Sequence, residues 1–257
     1  TLQRSLLPPR LAEIPGFDLA TLYQPAGEES EVGGDFYDAF PVPSGWMVLV
    51  GDVAGHGAAA AALTSLSRYT LRTAAKLLGD PVTALEQLNR ALCERPVLSL
   101  VSVCCALLRE VDDEVVADVV LAGHPPAYHL HDGEVLPVGV LARLLGVAED
   151  GDWVADSVAL SIGDQLVLYT DGVTDTVGED GRFGSDRLTV ALRGGGDPAT
   201  TVARVERALA SFARGPQRDD TAILVVQRTS AASFADDAEA EHPAATRQGR
   251  SRVSAPP

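Results

Sequence analysis

The sequence predicts an α+β fold, with largely antiparallel sheets and helices set outside them. Between Leu98 and Thr170 the apolar residues recur with a period of two, in short runs separated only by turns. Segments with helical spacing lie on either side of that stretch. Strands joined by tight turns pair antiparallel, because a parallel partner needs a crossover of a dozen or more residues.

Residues 1–16 read as a short amphipathic stub, with Leu2, Leu6 and Leu7 broken by Pro8-Pro9 and then by Pro15-Gly16. Phe17–Tyr23 reads as a strand. Gly27–Asp38 reads as an acidic, glycine-bearing loop, neither helix nor core. Trp46–Val50 is a short apolar strand ending at Gly51-Asp52. After Gly55-His56-Gly57 an alanine-rich helix is expected over 58–78, with Leu63, Leu66, Leu71 and Leu78 on one face. Asp80-Pro81 supplies a cap and a first-turn proline for a second helix.

Strands are then expected at Leu98–Leu108, Val115–Leu121, Ala127–Leu130, Glu134–Val138, Asp156–Leu160 and Gln165–Thr170. Asp132-Gly133 is a hairpin signal, since both residues tolerate the positive φ of a type I′ turn. Asp197-Pro198 opens a last helix, and Thr221–Gln227 is the closing strand. From 229 to 257 the composition turns to Ala, Ser, Asp, Pro and Arg without periodicity, which predicts a disordered tail. One ordered domain, 17–228, is the simplest division.

The 257 residues are 46% apolar, enough for a sizeable core, and carry 20 Lys+Arg against 36 Asp+Glu. The formal net charge of −16 repels phosphate backbones and argues against a nucleic-acid partner. No apolar run reaches the ~20 residues that span a bilayer. Cys93, Cys104 and Cys105 lack metal-ligand spacing and read as small core residues in a reducing cytosol. Cytoplasmic location is the corresponding expectation.

The candidate chemistry lies in the aspartates. Asp35 follows Gly33-Gly34, Asp52 follows Gly51, Asp171 precedes Gly172, and Asp219-Asp220 precede the closing strand. Each stands at a strand edge where the backbone turns sharply. One such aspartate is ordinarily a turn residue or a helix cap; four together make a candidate site. An aspartate array without His or Cys partners suits hard cations such as Mg²⁺ or Mn²⁺. No nucleophile elbow, P-loop lysine or H-E-x-x-H pair competes. His129 and His131, two apart in a hairpin, read as surface strand residues. His56 and His124 follow loop glycines and read first as structural.

Six motifs in order resemble the SpoIIE/RsbU-type serine phosphatases of the PPM, or protein phosphatase 2C-like, superfamily. They are Leu2–Pro8, Glu31–Asp38, Gly51–Gly57, Ala122–Pro126, Tyr169–Thr174 and Gln217–Thr221. The resemblance implies a four-layer α-β-β-α sandwich holding two Mg²⁺ or Mn²⁺ ions at one end of its sheets. It implies that Asp52 bridges the ions, that Asp35 and the Val53 carbonyl serve one, and that Asp171 and Asp219 serve the other. Asp220 is a further ligand or a neighbour to them.

The implied reaction is hydrolysis of phosphoserine or phosphothreonine by attack of a metal-bridging water. The implied substrate is a phosphorylated anti-anti-sigma (STAS) protein in bacterial partner switching, a stress-response pathway. The stub resembles the linker through which relatives join an upstream sensor domain and through which they dimerise. Ala54 stands where eukaryotic relatives place a histidine, so no general acid is carried over. Leu100 stands where relatives show an Arg-Phe or similar pair. An inactive, partner-binding phosphatase-like module is the alternative, and a calcium-stabilised structural domain is a third reading.

Overall fold

The computed structural model describes residues 7–8, 10–26, 33–215, 217 and 219–230. Expectations for residues 1–6 of the stub, for 27–32 of the acidic loop and for the tail from 231 onward lie outside the described residues.

Twelve strands and five helices are described. The strands are β1 (Phe17–Gln24), β2 (Phe36–Val42), β3 (Gly45–Val53), β4 (Val101–Val111), β5 (Glu114–Ala122), β6 (Ala127–His131), β7 (Glu134–Val138), β8 (Ala155–Ala159), β9 (Gln165–Tyr169), β10 (Val177–Gly178), β11 (Gly181–Arg182) and β12 (Thr221–Arg228). The helices are α1 (Ala58–Leu78), α2 (Pro81–Cys93), α3 (Asp171–Asp175), α4 (Gly184–Leu192) and α5 (Pro198–Phe212). One five-stranded sheet runs β1-β12-β9-β6-β7 and the other β2-β3-β4-β5-β8, with every pairing antiparallel.

The period-two pattern sorts side chains into three cores. Val48, Val50, Cys104 and Ala106 point from one sheet, and Leu166, Leu168, Leu224 and Val226 from the other, into the space between the sheets. Their neighbours Met47, Leu49, Cys105 and Leu107 face outward against Leu63, Leu71, Leu85 and Leu88 of α1 and α2. Val167, Tyr169, Ile223 and Val225 face the opposite way, against Leu188, Val205 and Leu209 of α4 and α5. Both faces of each central strand are therefore buried, which gives the four layers α-β-β-α. The adjacent pair Cys104 and Cys105 is divided between two cores, and no disulfide forms among the described residues.

The local signals act as expected. Asp80 and Asp197 cap α2 and α5, accepting from the Thr83 and Thr200 backbone N–H groups, each at 2.7 Å. Asp132 and Gly133 take φ of 47° and 80° in the β6–β7 turn. Ile14, ahead of the first strand, is buried in the inter-sheet core. No helix among the described residues is long and apolar enough to cross a membrane.

Two local expectations are corrected. The acidic loop does not extend to Asp38: β2 begins at Phe36, a buried side chain on the helix-facing side of its sheet. Asp38 is fully buried and accepts from Arg68 Nη1 at 2.8 Å and Arg72 Nη1 at 2.9 Å, tying β2 to α1. A charge pattern that reads as solvated in sequence is thus an internal ion pair. The strand expected at Trp46–Val50 runs on to Val53, so Asp52 lies within β3 rather than beyond it.

Asp38→Ala should cost about 3–5 kcal/mol, because the buried Arg68 guanidinium loses its counter-charge. Arg72→Ala should cost less, since Arg72 is about a third exposed (31%). Urea unfolding of the two variants measures the difference.

Candidate active site

The sheet registers assemble the site. Phe36 pairs with Gly51, which sets Asp35 at the head of β2 beside Asp52 near the end of β3. In the other sheet Tyr169 pairs with Ile223, and the Thr170 N–H donates to the Ala222 carbonyl at 3.0 Å. That register puts Asp171, the first residue of α3, beside Asp219 and Asp220 at the head of β12. Each sheet therefore delivers carboxylates to the same end of the sandwich.

Two glycines permit the close approach. A Cβ on Gly34 would lie 2.2 Å from the Val53 carbonyl oxygen and 2.7 Å from Asp52 Oδ1. A Cβ on Gly33 would lie 1.4 Å from Asp220 Oδ2. No side chain larger than hydrogen fits at either position without moving the carboxylates.

Burial and mutual repulsion resist ionisation of this set. The Asp52 carboxyl is pushed up to about 7 by burial and by Asp171, Asp219 and Asp220. Asp35 is raised well above the usual carboxylate range by burial and by Asp52, although the Thr170 hydroxyl opposes the shift. Burial, with Asp175 and Asp171 respectively, also raises Asp171 and Asp219. An array of hard oxygen donors in this condition fits divalent cations of the Mg²⁺ or Mn²⁺ type, whose charge offsets the repulsion. Among the described residues no three of these aspartates bring carboxylate oxygens within 4.8 Å of one another, so the set is wider than a closed single-ion cage.

Asp220 differs from the others. Its carboxylate accepts from the Tyr23 hydroxyl at 3.1 Å and from the Ala26 N–H at 2.7 Å, which holds the chain after β1 against the head of β12. Asp219 accepts from the Asp220 N–H at 2.9 Å.

Sequence reasoning did not single out Thr170. Its hydroxyl donates to Asp35 Oδ2 at 2.5 Å and accepts from the Ala222 N–H at 2.9 Å, joining a carboxylate of one sheet to the backbone of the other. The only signal for it in the sequence is its place directly before Asp171.

His124 is 2% exposed and lies between the sheets' ends. Its Nε2–H donates to the Tyr169 carbonyl at 3.0 Å, so Nδ1 accepts from the Ser102 hydroxyl at 2.8 Å. Ser102 is the cross-strand partner of Asp52. Burial lowers His124 to about 4, which keeps it neutral. It is a positioning residue that fastens the strand beside Asp52 to the strand leading to Asp171. His56 and Ala54 are exposed in the loop before α1, and the Ala54 N–H donates to the Leu100 carbonyl at 3.1 Å. Ala54 and Leu100, far apart in sequence, therefore touch through the backbone.

A cavity of about 470 Å³ opens beside Asp219, lined in part by Gly172, Asp175, Arg182, Arg214 and Gln217. Its wall carries both signs of charge: Glu206 also lines it, Arg182 pairs with Asp175 at 2.6 Å and Arg214 with Glu179 at 2.9 Å.

Comparison with known proteins agrees with this architecture. Residues 43–229, more than half of the chain, match the family described as Stage II sporulation protein E (SpoIIE). Phosphoserine phosphatase RsbU of Bacillus subtilis is 25% identical over 182 residues, which make up 70% of this chain and 53% of RsbU. The chain thus spans about half the length of that curated relative. The crystal structure of the RsbU and RsbW domains of a Mycobacterium tuberculosis protein superposes with a TM-score of 0.68 at 29% identity, covering 86% of this chain and 62% of that one. The SiaA-PP2C domain of Pseudomonas aeruginosa gives a TM-score of 0.71 at 25% identity, covering 82% and 85%. With two antiparallel sheets flanked by helices and carboxylates gathered at one end, the chain belongs to the SpoIIE family, the SpoIIE/RsbU-type serine phosphatases of the PPM superfamily.

Proposed function

We propose that this chain is the catalytic part of a protein serine/threonine phosphatase that depends on two divalent ions, Mg²⁺ or Mn²⁺. The observation that carries the reading is the convergence of Asp35, Asp52, Asp171 and Asp219 from both sheets into one site where each resists ionisation. Asp52, central among them, is assigned to both ions. Asp35 and the Val53 carbonyl are assigned to one ion, Asp171 and Asp219 to the other. Asp220 is assigned to holding the chain after β1 against the head of β12 and to a place beside the ions, where its charge already bears on Asp35 and Asp52.

Ions held by these residues would supply an activated water for attack on a phosphate ester and would offset charge on the phosphoryl oxygens. The protein's own contribution is orientation. Thr170 sets the Asp35 carboxylate, and His124 fixes the two strand ends that carry Asp52 and Asp171. Arg182 and Arg214, at the wall of the adjoining cavity, offer donors to an anionic phosphopeptide. No histidine stands where an acid for the departing serine is expected, so that proton is assigned to solvent.

The proposed substrate class is a phosphorylated STAS-type regulatory protein. Support comes from the RsbU relative and from the neighbour whose structure joins RsbU and RsbW domains. We also propose that residues 1–16 join an upstream regulatory domain and take part in dimerisation, and that the protein works in the cytoplasm.

Hydrolysis of p-nitrophenyl phosphate should be stimulated by Mn²⁺, and Asp52→Ala should lower it by more than about a hundredfold. Equal residual rates in wild type and variant would instead mark a partner-binding module. A phosphorylated STAS protein should be dephosphorylated faster than an unrelated phosphoprotein of the same size. Thr170→Val should cost about 10–100-fold in rate while the fold persists, as expected for loss of a group that orients a metal ligand.

Without metal the site should weaken the fold as pH rises. Asp52 titrates at about 7 in the folded chain against 3.8 for an ordinary aspartate, so the folded state holds the extra proton between those values. Stability from this group is full below the lower value and is lost as pH rises through the upper one. In EDTA, Asp52→Asn should therefore unfold at higher urea than wild type at about pH 8 and lose that advantage near pH 4. Unfolding midpoints at the two pH values check the sign.

A further inference from the structure

A second cluster of ligating side chains lies at the far end of β9 from Asp171. His129 and His131 stand two apart on β6, so both point to one face of their sheet. Leu130 pairs with Gln165, which places Asp164 across from His131. His129 Nε2 is 2.9 Å from Asp164 Oδ2, and His131 Nδ1 is 2.9 Å from Oδ1 and 3.0 Å from Oδ2. Among the described residues this is the one group of three His, Cys, Asp or Glu side chains whose ligand atoms all lie within 4.8 Å of one another. His129 and Asp164 are each 5% exposed, which corrects the expectation that both histidines are surface residues.

We propose that His129, His131 and Asp164 form a binding site for a borderline divalent metal of the Zn²⁺ type, separate from the aspartate site. Two imidazole nitrogens and a carboxylate oxygen match the donor set such ions prefer and differ from the all-oxygen set beside Asp52. Ligand atoms of a tetrahedral zinc stand about 3.3 Å apart. Each imidazole nitrogen is 2.9 Å from an Asp164 oxygen and would move a few tenths of an ångström from it to reach that spacing, and all three ligand atoms already lie within 4.8 Å of one another. Each neutral imidazole keeps one N–H, which moves to its other ring nitrogen as the inward nitrogen takes the metal.

Supporting contacts are already in place. The Ser161 N–H donates to Asp164 Oδ2 at 2.8 Å, and the Asp164 carbonyl accepts from the Arg228 N–H at 3.1 Å. Asp132, with an oxygen 3.6 Å from His131 Nε2, adds negative charge. A cavity of about 240 Å³, bordered by His131, Asp164 and the backbone of Gly194–Gly196, gives an entry path and room for a water as fourth ligand. Arg193 also lines it but is exposed to solvent. Bound metal would clamp the β6–β7 hairpin to the start of β9, the strand whose other end carries Asp171.

Equilibrium dialysis of the whole chain against Zn²⁺, with millimolar Mg²⁺ present to occupy hard-oxygen sites, tests this. Wild type should retain about one zinc per chain more than the H129N/H131N double variant. Equal zinc content in two folded proteins overturns the site. Should the double variant fail to fold, Co²⁺ added to the Mg²⁺-loaded wild-type chain decides. Intense visible bands of a four-coordinate nitrogen-containing site are expected, and only the weak bands of six-coordinate cobalt would overturn it. Neither readout depends on phosphatase activity, so failure of one site leaves the other standing.

Discussion

Burial and like-charge repulsion act together on the carboxylates at the sheet ends, and the surrounding structure is arranged around that cost. Asp35, Asp52, Asp171 and Asp219 all titrate above the ordinary range because each is partly or wholly removed from water and faces another carboxylate. Such an arrangement persists only if the rest of the fold holds the strand ends in place. The β2–β3 register, the β9–β12 register, Thr170 across the two sheets and His124 beneath them supply that hold. The Asp38–Arg68–Arg72 pairs extend it from β2 to α1, the helix that begins just after the Asp52 loop.

Three apolar cores supply the rigidity. Because Val48 and Val50 face the other sheet while Met47 and Leu49 face helices, β3 cannot slip by one residue without exchanging the contents of two cores. The same holds for β9 and β12. Strand register is thus determined by packing along the strands' length, and the position of the aspartates at their ends follows from it. The same logic reaches the opposite end of β9, where register sets Asp164 against His131.

Much of this was legible in the sequence. Period-two runs gave the strands, Asp-Pro pairs gave two helix starts, and glycine beside aspartate marked the site; the ordered motifs named the family. What escaped depends on pairing between distant segments. Asp38 reads as part of an acidic loop until Arg68 and Arg72, a turn apart on α1, are brought against it. Thr170 reads as the last residue of a strand until Asp35, 135 positions away, lies against its hydroxyl. His129 reads as a surface residue because its spacing from His131 says which face it shares but not that the face is covered. The short α3 and α4 escaped because five and nine residues carry too little periodicity to distinguish helix from turn.

The proposed catalysis requires that the aspartates hold two divalent ions with Asp52 between them. Anomalous diffraction from crystals soaked in Mn²⁺ is the most direct measurement of it. Two manganese peaks about 3.5–4 Å apart are expected, with the Asp52 carboxylate in contact with both. Full occupancy by a single ion, or manganese bound away from Asp52, would contradict the two-ion site.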